Sequence, residues 1–346
     1  MRDAYSGDAS GNWLSVRREA RLRHAGRAAA LGGLVIAVWL IWREHPLEIL
    51  RRLQTAGAGL LLAALVHVLP MLANAWDWRM LIRGARRPSF ATMLELVWIR
   101  ESINGLLPVA RIGGEIVSFS LLRRAGVRPA TAVASLVADM QLTLVSQVVF
   151  ALAAIGYVLE HVSSDTARVA AQLALGMAAM MPILLLFVLV QHARPFERAM
   201  RAINRVTSGK VVALVGESAR TDQSLRLIWR KTGIVVRYVA IWQTLQFAGH
   251  ALELWIALRF LGADATFAQA LVIEALIQML SSIAFAMPGG LGVQEGGFVL
   301  IGGLLGFDAP TCLALAGARR VRDLLFYVPG LFAWQFAVRR RSASPR

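Results

Sequence analysis

Eleven residues, Met287-Pro288-Gly289-Gly290-Leu291-Gly292-Val293-Gln294-Glu295-Gly296-Gly297, interrupt an apolar segment that runs from Ala268 to Phe307. In water such a stretch is an ordinary loop. Inside a bilayer it is costly, because proline removes a donor, the glycines hold no regular helix and Glu295 adds a charge. Broken helices survive at membrane depth where protein buries them or where they line a wet cavity, and there they hold a substrate or an ion. The rest of the chain must then build that cavity.

Composition supports the membrane setting. The 346 residues are 57% hydrophobic and only 17% charged, where a soluble domain carries about 25% charge. Apolar runs near the length that crosses a bilayer recur throughout. The expected fold is all-α and polytopic. The net charge of +16 is almost wholly arginine, since Lys210 and Lys231 are the only lysines. These arginines gather at the edges of apolar runs. That is the signature of cytoplasmic loops beside anionic headgroups, and it does not fit nucleic-acid binding. The single cysteine, Cys312, excludes an internal disulfide or a thiolate metal cluster. No cofactor or metal is expected, and no enzyme motif is present.

In order, residues 1–27 read as a basic cytoplasmic tail and Ala28 to Trp42 as an uncleaved first helix. A loop carrying Arg51 and Arg52 leads to helix two, Ala58 to Trp76. Residues 90–125 read as a re-entrant hairpin with its bend at Pro108, because Glu115 to Leu122 is too short to span. Helix three, Pro129 to Leu159, contains Asp139 and ends the first repeat at residue 160. The second repeat, 169–338, opens with helix four, Val169 to Gln191, and an amphipathic cytoplasmic insert at 192–232. Helix five, Gly233 to Leu261, the second hairpin at 267–307 and a last helix, Ala309 to Val338, follow. A basic tail, 339–346, closes the chain inside.

The hairpins look like copies. Ser102-Ile103 and Ser282-Ile283, Pro108 and Pro288, Glu115 and Glu295, Gly126 and Gly306 are each 180 residues apart. Each hairpin precedes a helix bearing an acid, Asp139 or Asp323. Three crossings per half would invert the second half, giving six crossing helices and two hairpins entering from opposite faces.

At Asn104-Gly105-Leu106-Leu107-Pro108, Arg111-Ile112-Gly113-Gly114-Glu115 and Pro288-Gly289-Gly290-Leu291-Gly292-Val293-Gln294-Glu295-Gly296, the chain resembles the lysylphosphatidylglycerol synthase transmembrane region, also called flippase-like. With Ala318-Arg319-Arg320-Val321-Arg322-Asp323-Leu324, it is most similar to the branch found with hopanoid biosynthesis genes. The resemblance implies lipid handling in a bacterial inner membrane: flipping or export of a phospholipid, polyprenyl-linked or hopanoid lipid. It does not imply aminoacyl transfer. Many relatives carry an acidic-basic pair before the aspartate of helix three, whereas Val137-Ala138-Asp139 lacks it.

Glu115 and Glu295 are the first candidates to bind a headgroup, proton or cation, and each also suits a cap at a helix N-terminus. Arg111, Arg319, Arg320 and Arg322 are candidates for an anionic headgroup, since guanidinium forks match phosphate. Arg320 and Asp323 have the spacing of a structural ion pair. Gly113, Gly114, Gly289, Gly290 and Gly292 either offer backbone N–H groups to phosphate or allow close packing. Asn104 and Gln294 border the bends, with Arg100 and Glu101 as cavity wall or hairpin glue. Asp139 is expected to pair with a cavity arginine, and His250, Glu253 and Glu274 to make local interhelical bonds. A non-transporting scaffold for lipid-modifying enzymes and a membrane-embedded lipid transferase are the alternative functions.

Overall fold

The structure, a computed structural model, describes residues 42, 46–82, 87–107, 113–161, 212–283 and 292–339. The N-terminal tail, the first helix apart from Trp42, helix four and the bends with Pro108, Arg111, Pro288, Gly289 and Gly290 lie outside the described residues.

Every described element is a helix. α1 (Pro46–Val66) and α2 (Val68–Leu81) meet at His67, and α3 (Phe90–Leu106), α4 (Gly113–Arg124) and α5 (Pro129–His161) follow. α6 (Val212–Trp229) leads to α7 (Thr232–Arg237), a π-helical turn (Tyr238–Gln243) and α8 (Thr244–Phe260). α9 (Phe267–Ile283), α10 (Val293–Leu304) and α11 (Ala309–Arg339) complete the chain.

Two expectations need correction. Arg51 and Arg52 are not in a loop but on α1, which begins at Pro46 and kinks at Gly57 (φ 43°, ψ −122°). Proline is preorganised for a first helical turn. The second bend is also narrower than expected, because Gln294, Glu295, Gly296 and Gly297 are helical. There the Glu295 carboxylate accepts from the Gly292 N–H at 2.7 Å, and this cap starts the helix despite its glycines.

Proline also explains the break at His67. Pro70 has no N–H to offer Val66, so the ladder is interrupted one turn earlier and the imidazole turns inward. His67 is 1% exposed. On the facing helix, a side chain at Gly249 would begin 2.8 Å from the Pro70 ring, so α8 approaches α2 closely at this level.

The paired segments keep one register. α4 and α10 start 180 residues apart, as do α5 and α11. The N–H groups of Ala125, Gly126 and Val127 donate to Leu121, Arg123 and Leu122, and those of Leu305, Gly306 and Phe307 donate to Ile301, Gly303 and Gly302. Gly126 (φ 84°) and Gly306 (φ 89°) occupy the left-handed position that this helix ending requires. Packing is reciprocal too. α5 lies along α9, and α11 lies along α3, so each long closing helix covers the first hairpin helix of the other half.

Two apolar cores result, one built mainly from α8 to α11 and one mainly from α2, α3 and the neighbouring turns. α5 joins them, with Ala132 to Leu142 in the second and Ala151 to Val158 in the first. Asp77, Ser102, Ser118, Gln141 and Ser146 are fully buried, whereas Leu65, Val149, Leu324, Phe332 and Phe336 face outward. Polar groups inside and large apolar groups outside suit hydrocarbon surroundings. Ile49–Leu81 and Pro129–His161 are each 33 residues long and apolar enough to cross a membrane. At 1.5 Å per residue either length exceeds the ~30 Å hydrocarbon core.

Candidate functional site

Inside the helices lies a chain of ionic and hydrogen-bonding groups, most of them buried. At one end Arg100 of α3 binds Asp139 of α5 at 2.7 Å, binds Asn74 of α2 at 2.9 Å and stacks over Trp78 at 4.5 Å. Its guanidinium lies 4.0 Å from Glu115 at the start of α4. Tyr238 donates to the second Asp139 oxygen at 2.8 Å. The same π-turn brings Gln243 to Asp77 at 2.9 Å, and Gln246 of α8 donates to that same oxygen. In a π-turn residues five apart stand on one face, which is how Tyr238 and Gln243 both point inward.

Asn74 carries the chain onward by donating to Glu101 at 3.2 Å, and Glu101 faces His67 at 3.8 Å. Arg322 of α11 lies 2.6 Å from His67 Nδ1 and 3.1 Å from Glu253 of α8. His67 Nδ1 also lies 3.1 Å from Glu253, so the imidazole nitrogen, the guanidinium and the carboxylate form one cluster. The other Arg322 terminal nitrogen reaches Asp323 at 2.8 Å. Arg320 joins Asp323 (3.9 Å) to Glu295 (3.0 Å). Beside it, Arg319 holds both oxygens of Glu274 at 2.9 and 3.2 Å, and Gln278 donates to Glu274 at 2.7 Å.

Most candidates described meet in this chain. Asp139 has the arginine partner expected for it. Glu295 caps α10, as one of its two readings expected, and also pairs with Arg320. Glu115 behaves differently: in the first pair the cap comes from Asn104, whose side-chain oxygen accepts from the Gly114 N–H at 2.9 Å. Glu115 Oε2 is buried and unbonded. A Cβ on Gly114 would lie 2.6 Å from the Arg100 carbonyl and from Asn104, so this glycine serves close approach. Gly113 is the first residue of α4, and Gly292 (φ 77°) precedes α10. Gln294 donates to Ser281 at 3.1 Å. Arg320 stands near Asp323, but its closer partner is Glu295.

Residues passed over in the sequence also belong to the chain: His67, Asn74 and Tyr238 connect it. Glu253 and Glu274, expected to make local interhelical bonds, do so as ion-pair partners of Arg322 and Arg319. The available signal was a polar side chain within a membrane-length apolar run, which marks His67 and Asn74. The ligand atoms of His67, His250 and Glu253 lie within 4.8 Å of one another, close enough to share a metal. Arg322 already sets a guanidinium against two of them, so the cation at this point is the protein's own.

Eight carboxylates (Asp77, Glu101, Glu115, Asp139, Glu253, Glu274, Glu295, Asp323) and four guanidiniums (Arg100, Arg319, Arg320, Arg322) make up the described chain. Each guanidinium has a carboxylate within 3.1 Å. The surplus is acidic.

An apolar exterior, two spanning-length helices and a buried polar interior define a helical membrane protein. The chain belongs to the family described as Lysylphosphatidylglycerol synthase TM region, which matches residues 28–330. It is 25% identical to the UPF0104 membrane protein PH1989 of Pyrococcus horikoshii over 331 residues, covering 89% of this chain and 94% of that relative. No solved structure matches it.

Proposed function

We propose that this protein moves an amphipathic lipid across a bacterial inner membrane, and that its headgroup engages the buried ionic chain between the two helix pairs. The observation that carries this reading is the chain itself. A run of charges from Asp139 through His67 to Glu295 is expensive in a membrane protein, and intramembrane ionisable groups mark substrate and ion pathways. A transport role uses them, and none of the motifs of a hydrolase or metalloenzyme accompanies them.

The halves form an inverted repeat in this proposal. The shared 180-residue register and the reciprocal packing of α5 on α9 and α11 on α3 support it. Rocking of one half against the other would strain the chain at Asn74–Glu101–His67, where no guanidinium bridges the helices, and open it to alternate sides. The headgroup bears an ammonium. Among the described residues the site arginines are already neutralised by carboxylates, and the surplus acids Glu101 and Glu115 seek a cation. An amine-bearing phospholipid or an aminated hopanoid meets that demand better than a purely anionic lipid.

The test uses purified protein in liposomes with headgroup-labelled tracers. Faster redistribution of an amine-bearing phospholipid than of phosphatidylglycerol is expected. Redistribution of neither tracer, with folded protein present, would sink the transport reading and leave a scaffold.

A further inference from the structure

We propose that a groove on the outside of the molecule, beside the π-turn, holds one anionic phospholipid of the surrounding bilayer. This site is separate from the buried chain and does not depend on the transport reading.

The groove has a volume of about 560 Å³ and lies between α2 with Ile82, Arg87 ahead of α3, α7 and the π-turn. That is the size of a ligand pocket. Its wall is aromatic: the Trp76 and Trp242 rings stack at 5.9 Å with 12° between their planes, and Phe90 lies 5.0 Å from Trp76. Trp76 and Ile241 are exposed. The π-turn explains the arrangement, because the register that turns Tyr238 and Gln243 inward leaves Ile241 and Trp242 on the outer side.

At the rim stand three arginines. Arg87 and Arg237 line the groove and are exposed, and Arg79 lies 5.5 Å over the Trp76 ring. Their bonds all go to backbone carbonyls: Arg87 to Arg79 (2.9 and 2.7 Å), Arg237 to Gly233 (2.8 Å) and Arg79 to Pro88 (2.9 Å). Among the described residues no carboxylate pairs with any of the three. The neighbouring acid, Asp77, faces the other way, fully buried on Gln243 and Gln246. Three positive charges beside a tryptophan wall on a lipid-facing surface match a phospholipid at the membrane interface. Tryptophan prefers that depth, and a guanidinium fork matches a phosphate oxygen pair. The phosphate lies between Arg87 and Arg237, and one acyl chain runs along Trp76, Trp242 and Ile241. Net negative charge separates this occupant from a zwitterionic lipid, since among the described residues the rim has no acid to receive an ammonium.

Native mass spectrometry of full-length protein from nanodiscs with equal phosphatidylglycerol and phosphatidylcholine reads the site directly. Wild type should retain phosphatidylglycerol about tenfold over phosphatidylcholine, a difference of about 1.4 kcal/mol, and Arg87→Gln/Arg237→Gln should lose that preference. If the double variant does not fold, Arg237→Gln alone serves, because its bond to Gly233 is within its own helix. Trp242→Ala should lower retention of both lipids while keeping the preference. Equal retention of phosphatidylglycerol by wild type and the arginine variants would overturn the proposal, as would its displacement by millimolar inorganic phosphate. Lost lipid transport with retention intact would count against the transport reading alone.

Discussion

Glu295 divides its carboxylate between two tasks: one oxygen caps the Gly292 N–H at 2.7 Å and the other binds Arg320 at 3.0 Å. Helix initiation and the ionic chain therefore share one residue. Glu295→Gln keeps a capping oxygen and removes the charge. It should leave folded protein in the membrane and abolish lipid redistribution in liposomes. Full redistribution by that variant would remove Glu295 from the site.

Arg100 and Asp139 test the energetics of the chain. Removing one member of a buried pair strands the other, so Asp139→Leu should destabilise by about 3–5 kcal/mol, while Arg100→Met/Asp139→Leu should recover most of that loss. Thermal unfolding of both variants in one detergent gives the comparison. A double variant less stable than Asp139→Leu, with the two losses simply adding, would mean that the pair is not coupled.

Contact between α3 and α11 depends on missing side chains. A Cβ on Gly330 would collide with the Ser102 hydroxyl, and one on Gly105 would lie 2.6 Å from the Tyr327 ring. Next to Gly330, Pro329 interrupts the α11 ladder, and the Trp98 indole donates to the Phe326 carbonyl at 2.7 Å. Gly330→Val should cost about 1–3 kcal/mol through overpacking. Ser102→Gly should restore part of it. A neutral Gly330→Val melting temperature would contradict this packing.

In the turn before α11, Asp308 pairs with Arg52 at 2.8 Å and accepts from Thr311. Burial pushes its carboxyl upward, but the Thr311 hydroxyl and the Arg52 guanidinium outweigh it and hold the group below its usual value. A depressed carboxyl adds stability above the unfolded value, about 3.9, and that contribution fades as pH falls through the lower folded one. The melting temperature of Asp308→Asn should therefore lie slightly below wild type at pH 7 and converge with it below pH 3. A gap that stays constant between pH 7 and pH 3 would exclude the linkage. Half-exposed as Asp308 is, the effect should be small.

Much of the architecture was legible in the chain. Gly126 and Gly306, and the starts of α5 and α11, follow from local rules about glycine, proline and apolar length. The extent of α1 was not legible, because arginines at 51 and 52 looked like loop residues when helix formation was judged by polarity alone. The narrow second bend was missed for a related reason: a carboxylate cap can start a helix through glycines, and composition does not show whether the cap is made.

From the sequence alone follow the membrane class, the register shared by the paired helices and the acids and arginines that would have to be buried. Only the tertiary structure decided who meets whom. Arg322 finds His67 across 255 positions and Glu253 across 69, and Arg100 finds Asp139 across 39. Such pairs form between helices whose approach is set by the fit of many small contacts, and no local pattern of charge or hydropathy encodes that fit.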